Sequence, residues 1–313
     1  MINKEKNFIS AIVYVHNAAG RIESFLNTVI DVLQDNFEHS EIICVNDSSK
    51  DNSADIIKEV SKRAVSTNIT ILNMSYFHGL ETAMNAGIDL SIGDFVIEFD
   101  KTVLYFDAEE IMKVYRRSLE GYDIVSASAD RRQSFTSHIF YRVFARFGNL
   151  RSELSTESFR VLSRRVINRI SSMNKTVPYR KAVYANCGLK TDNIKYSPIA
   201  DAITTINDKQ EKRYRTDLAV DSLILFTEIG YRFSIYMTSL MIFITVFMAI
   251  YALVIYLIGS PVEGWTTTIL FLSFGFFGLF GILTVIVKYL QIIVNLVFKR
   301  KRYSFESIEK LTK

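Results

Sequence analysis

The stretch "GDFVIEFDKTVLYFD", Gly93 to Asp107, decides how the first half of the chain is read. Its apolar run, Phe95 to Phe99, ends in Asp100. That is the form of a core strand in a nucleotide-binding α/β domain, where ligands gather at the carboxyl ends of parallel strands. A metal-binding Asp-x-Asp pattern would place a second carboxylate two residues on, but the chain has Lys101 and then Thr102. With extended geometry, residues 100 and 102 share a face and Lys101 points away. Lys101 is then a poor substitute for a metal, and Thr102 a weak neutral ligand. Mg²⁺ is often held by only one or two carboxylates, with substrate phosphates and water completing its shell. Asp100 is therefore expected to keep a weakened Mg²⁺ or Mn²⁺ site. Asp107 and Glu109 are better suited to capping and facing a helix over 108–119.

Outward from this strand the same alternation repeats. Strands are predicted over 8–15, 41–46, 69–75, 94–100 and 122–129 from their β-branched runs. Between them, 22–33, 51–64, 79–90 and 108–119 carry apolar residues at helical spacing. Strands recurring with helices between them indicate βαβ units and a mainly parallel, Rossmann-like sheet. The strand-end residues to watch are then His16, Asn17, Asn46, Asp47, Tyr76 to Gly79 and Asp100. "VNDSSKDNSADII" (45–57) is the sharpest of these motifs. Its strand ends at Asn46-Asp47, and Asp51 or Ser53 can cap the next helix. Asp47 can accept hydrogen bonds from a base or ribose, or merely order its turn.

The second half has a different composition. The chain has 313 residues, 49% of them hydrophobic, and the excess is concentrated. Phe233 to Gly259 and Trp265 to Val287 contain no charged residue. Each exceeds the roughly 20 residues that cross a bilayer as a helix, so the pair reads as a transmembrane hairpin, over about 233–259 and 265–290. Lys212, Arg213, Arg215 and Arg232 precede it, and Lys299 to Arg302 follow. Positive-inside bias then places both termini in the cytoplasm of a two-span cell-membrane protein. "MINKEKNF" has no signal-peptide core. The segment 216–232 reads as an amphipathic helix on the membrane surface, after a catalytic domain over 1–215 and before the spans of 233–298. Residues 299–313 read as a basic tail. Two cysteines give no disulfide framework or zinc spacing. A net charge of +4 fits attraction to anionic lipid and gives no sign of nucleic-acid binding.

"IVYVHN" (12–17), "VNDSSKDNS" (45–53), "HGLETAMNAGIDLSIGDFVIEFD" (78–100) and "FRVLSRRVI" (159–167) occur in that order. With the apolar runs behind them, they resemble the family 2 glycosyltransferases of GT-A fold. Within that family the chain is similar to the membrane-anchored polyprenyl-phosphate glycosyltransferases, of the dolichol-phosphate mannose synthase and bactoprenol glucosyltransferase type. The resemblance implies transfer of a sugar from a nucleotide-sugar donor to a polyprenyl phosphate, by direct displacement with inversion, for cell-surface glycan synthesis. It also implies that Asp47 contacts the nucleoside and that Asp100 serves the metal and diphosphate. Family members often act with a separate flippase; a homo-oligomer joined through the hairpin is also compatible.

Three positions depart from the family pattern. Tyr-Asn-Glu-Glu appears as His16-Asn17-Ala18-Ala19, Asp-x-Asp as Asp100-Lys101-Thr102, and Gly-Asp-Phe-Arg as Glu157-Ser158-Phe159-Arg160. An ionised lipid phosphate needs no strong general base, so the site must chiefly bind that phosphate and stabilise the leaving diphosphate. Arg131, Arg132, Arg142 and Arg160 are the candidate cations. His16 and Asn17 are expected at the donor, and Arg213, in a basic-Tyr pair with Tyr214, is expected to close over it. The alternative reading is a non-catalytic relative that binds lipid or a partner enzyme. A processive polysaccharide synthase is disfavoured, because its Gln-x-x-Arg-Trp segment is missing and the only tryptophan is Trp265.

Overall fold

The structure is a computed structural model that describes residues 4–130, 157–172, 179–199, 264–298 and 303–312, with scattered positions between 213 and 247. The first βαβ run follows the sequence pattern closely. It comprises β1 (Ile9–Val15), α1 (Ile22–Asn36), β2 (Ser40–Asn46), α2 (Ser53–Ser61), β3 (Thr67–Met74), α3 (Leu80–Leu90), β4 (Phe95–Phe99), α4 (Ala108–Leu119) and β5 (Ile124–Ala129). Then come β6 (Phe159–Ser163), α5 (Arg164–Ser172), α6 (Arg180–Asn186), β7 (Thr191–Tyr196), α7 (Trp265–Phe298) and β8 (Phe305–Lys310).

The strands form one sheet in the order β7-β5-β6-β4-β1-β2-β3-β8. Its centre, β4-β1-β2-β3, is parallel, whereas β6 runs antiparallel to both β4 and β5, and β8 antiparallel to β3. The sheet is therefore mixed. Both faces of β1 are buried: Ile9, Ala11, Val13 and Val15 join the core that includes Phe25, Val29 and Tyr115, while Ile12 and Tyr14 join Met84, Val96 and Leu162 on the other face. Such two-sided burial explains the near-continuous hydrophobic runs of the central strands. Cys44 lies in this core as a free thiol, pushed up to about 12 by burial, and Cys187 is also free and buried.

By compactness the chain divides into Met1–Ala145, Leu150–Ala219 and Lys301–Lys313 as one unit, and Arg146–Asn149 with Val220–Arg300 as a second. In the second unit the expected hairpin is overturned: among the described residues no helix is long and apolar enough to cross a membrane. An uncharged run records apolarity alone and does not fix what surrounds the helix it forms. Here α7 runs without a break past Val287 through Lys288, whose ammonium lies 3.1 Å from the Asp221 carboxylate. Two spans in the cell membrane, and the cytoplasmic placement of both termini that rested on them, are withdrawn with the hairpin. The first apolar run, 233–259, lies mostly outside the described residues, as does 222–232 of the expected surface helix; 216–221 is helical. The segment read as a basic tail contributes β8 to the sheet of the first unit.

Candidate active site

Parallel pairing of β1 with β2 and β4 puts their carboxyl ends on one edge. Val15 stands opposite Asn46, and Val13 opposite Phe99. His16, Asp47 and Asp100, each at or just past a strand end, are gathered there as the sequence implied.

Asp47 is fully buried. Its Oδ1 accepts the His78 N–H at 2.8 Å, and Oδ2 accepts the Gly79 N–H at 2.8 Å and the Tyr14 hydroxyl at 3.1 Å. The carboxylate thus fastens the loop that starts α3, where the N-terminal dipole favours a negative charge. Gly79 has φ +83°, and a Cβ there would overlap the Tyr214 ring. Tyr214 also accepts the Glu81 N–H through its hydroxyl. Arg213, expected to close over a donor, is exposed beside it.

The loop after β1 is stitched to the loop after β2. His16 Nδ1 lies 2.7 Å from the Asp47 carbonyl, so Nδ1 carries the proton there. The Asn17 N–H donates to Ser49 Oγ, and Asn17 Oδ1 accepts the Lys50 N–H at 2.8 Å. The Ala18 N–H reaches Ser53 Oγ, and the Ala19 N–H reaches Asp51. Asp51 also accepts the Ser53 N–H in the first turn of α2. Its carboxyl, though raised by partial burial, is held below its usual value by these donors. Asn17 adopts φ +46°, a left-handed conformation that asparagine tolerates better than most residues.

Asp100 heads a buried ionic cluster. Arg160, on β6 directly across from Glu98 on β4, donates to Glu98 at 2.6 Å, to Asp100 Oδ2 at 2.7 Å and to Glu157 at 2.8 Å. Arg180, at the start of α6, donates through its backbone N–H and Nε to Glu81, both at 2.9 Å. Its two Nη atoms reach Glu98 and Asp100 Oδ1, each at 2.7 Å. Tyr184, one turn on, donates to Glu98 at 2.9 Å. Both arginine side chains are 1% exposed. Burial alone would raise the Asp100 carboxyl; the guanidinium groups of Arg160 and Arg180, with the Lys181 ammonium, more than offset it and hold Asp100 well below the usual carboxylate range. The sequence did not reveal Arg180, Glu81 or Tyr184. Glu98 carried the one available signal, since a charge within an apolar strand needs a buried partner.

The donor set does not fit a divalent metal. Each Asp100 oxygen already accepts a guanidinium, and buried Thr102 accepts the Arg21 Nε–H at 3.0 Å through its hydroxyl. Among the described residues no group of three or more His, Cys, Asp or Glu side chains could hold a metal ion. The expected metal site at Asp100 thus meets three cationic side chains where a dication would need anionic oxygens. Arg160 is buried within this cluster and does not present an open phosphate site. Arg131, Arg132 and Arg142 lie outside the described residues. Asp107 occupies the N-cap of α4 without a side-chain bond to the helix.

A mixed α/β sheet with carboxylates at the carboxyl ends of its central strands is the layout of a GT-A-like domain. Glycosyl transferase family 2 matches residues 10–173, over half of the chain, and the chain belongs to that family. It is 31% identical over 188 residues to the uncharacterized glycosyltransferase sll0501 of Synechocystis, covering 58% of each chain. It is 25% identical to the uncharacterized glycosyltransferase YkcC of Bacillus subtilis, over 83% of this chain and 81% of that one. The prophage bactoprenol glucosyl transferase homolog of Escherichia coli K12 is 30% identical over 60% of this chain and 62% of its own length. The chain therefore spans less than two thirds of the first and third of these relatives. A solved mannosyltransferase from Pyrobaculum calidifontis, in complex with GDP-Man and Mn²⁺, shares the fold at a TM-score of 0.50 and 12% identity, over 70% of this chain and 63% of that one.

Proposed function

We propose that the protein transfers a sugar from a nucleotide-sugar donor to a polyprenyl phosphate, with inversion at the anomeric carbon. The observation that carries this reading is the state of the site carboxylates. Glu81, Glu98, Asp100 and Glu157 are all ion-paired to Arg160 or Arg180. A general base works best when its pKa lies near the operating pH, and Asp100 is held far below that. A sugar hydroxyl acceptor would need such a base. A lipid phosphate arrives already ionised and can attack the anomeric carbon directly as the nucleoside diphosphate leaves.

Membership of a family whose relatives include a bactoprenol glucosyl transferase homolog supports the same acceptor class. A polyprenyl acceptor sets the work at a membrane surface. In this reading His16 and Asn17 border the nucleoside, and Asp47 acts through the backbone of His78 and Gly79 that it organises. Arg131, Arg132 and Arg142 remain the candidates for the acceptor phosphate, with Arg213 beside the donor.

Membranes containing the protein should move radiolabel from a nucleotide sugar into the organic-soluble lipid fraction when polyprenyl phosphate is supplied. A broad donor panel that labels no lipid would sink this reading. The three departures from the family pattern, at 16–19, 100–102 and 157–160, favour a second one, a relative that binds lipid or a partner enzyme without transfer. Calorimetry showing no nucleotide binding at all would favour that alternative.

A further inference from the structure

We infer that Arg21, seated on Thr102, takes the place of a divalent cation and binds the donor diphosphate, so that donor binding needs no metal. The inference rests on the glycosyltransferase reading above and adds to it how the diphosphate charge is met.

Arg21 follows the loop of His16 and Asn17 and occupies the N-cap of α1, its N–H donating to the Ala18 carbonyl at 3.0 Å. Its side chain is half-buried. The Nε–H is spent on Thr102 Oγ1 at 3.0 Å, and Thr102 is itself buried. Among the described residues neither Nη atom of Arg21 meets an acceptor. Arg160 and Arg180 differ in this respect, because every guanidinium nitrogen of those two already has a carboxylate partner. Among the described residues Arg21 is thus a guanidinium at this strand edge that keeps a pair of donors for a ligand. Its Nε anchor fixes the plane of the fork, and a fixed planar fork matches phosphate oxygens bidentately.

The charge count agrees. An Asp-x-Asp site contributes, at its last position, one carboxylate and one dication, for a local charge of one positive unit. Thr102 with Arg21 also contributes one positive unit, without a metal. Thr102 is then a deliberate seat for a cation. Asp100 serves as the anionic anchor of Arg160 and Arg180, which makes it a positioning residue.

Titration calorimetry on the full chain with UDP and with GDP tests this directly, in EDTA and in millimolar MnCl₂. The affinity for whichever nucleotide binds should be the same in both buffers within about threefold, and Arg21→Met should weaken it about tenfold or more. Thr102→Val, which keeps every charge but removes the seat, should weaken binding in the same direction. Arg21→Lys should recover part of the loss. An unchanged melting temperature in each variant separates lost binding from lost folding. Binding that weakens about tenfold in EDTA, or a saturable Mn²⁺ signal by electron paramagnetic resonance in the presence of nucleotide, overturns the inference and leaves the glycosyltransferase reading intact. Wild-type affinity in Arg21→Met overturns it as well. Failure of both nucleotides in both buffers overturns the donor reading and this inference with it.

Discussion

At the residue scale, Arg180 and Asp100 explain how a chain affords so many charges inside its fold. Two guanidinium groups and four carboxylates share one buried network, with each Arg–Asp100 contact at 2.7 Å. A buried pair of this kind returns little net stability over apolar packing, but breaking it is expensive because a bare charge remains. Arg180→Met leaves Glu81, Glu98 and Asp100 each short of a partner. The variant should lose about 3–5 kcal/mol of unfolding free energy at pH 7, measured by urea denaturation. Its pH profile carries a second signature. The Asp100 carboxyl is depressed in the folded state, so its contribution to stability is fully present above the ordinary aspartate value near 3.9 and drains away as pH falls below it. Arg180→Met relieves part of that depression, so the variant's stability should fall less steeply than wild type through that acid range. Equal slopes, or a loss below about 1 kcal/mol, would show that the network does not hold Asp100 as described.

At the scale of elements, the sequence announced β1 to β5 and α1 to α4 within a few residues, because two-sided burial and helical apolar spacing are local signals. Two of the strands it did not announce, β6 and β8, escaped for separate reasons. β6, "FRVLS", runs directly into the helix of Arg164–Ser172, with no turn residue between them to mark a strand end. β8, "FESIEK", has no strict alternation and is mostly exposed, so only its docking on β3 makes it a strand. The site divides in the same way. Asp47 and Asp100 were legible as strand ends, whereas the partnership of Arg180 with Glu81, 99 positions apart, leaves no trace in spacing. Arg21 was likewise silent, since nothing local links it to Thr102, 81 positions on. The docking of β8 is itself testable through Asn73, whose amide donates to Ser307 Oγ at 3.0 Å and to Glu309 at 2.8 Å while its Oδ1 accepts from Asn46 at 2.9 Å. Asn73→Ala should cost roughly 1–3 kcal/mol and speed amide exchange in 305–310 ahead of β1 and β2. Exchange that stays as slow in β8 as in β1 would mean that the strand is held by its backbone ladder alone.

At the scale of the whole molecule, the order of the chain and the order of its compact units differ. Residues 220–300 form most of a second unit, yet the chain on either side of them belongs to the first. Within that first unit the two flanks meet one loop. Tyr214 packs against Gly79 and accepts the Glu81 N–H, while the Ser304 N–H donates to His78 Nε2 at 3.1 Å and Ser304 O accepts the Ser75 N–H at 3.1 Å. The same loop is the one that Asp47 fastens. Topologically, residues 220–300 are therefore an insertion, and the first unit should close without them. A Gly/Ser linker of about ten residues spans roughly 16–19 Å as a coil, enough to join two strands of chain that touch one loop. Replacing 220–300 by such a linker should yield a cooperatively folding monomer that still contains β8 paired to β3. It should keep nucleotide affinity within about threefold of the full chain. A linker variant that melts without cooperativity would show that the second unit is part of the folding core rather than an insertion into it.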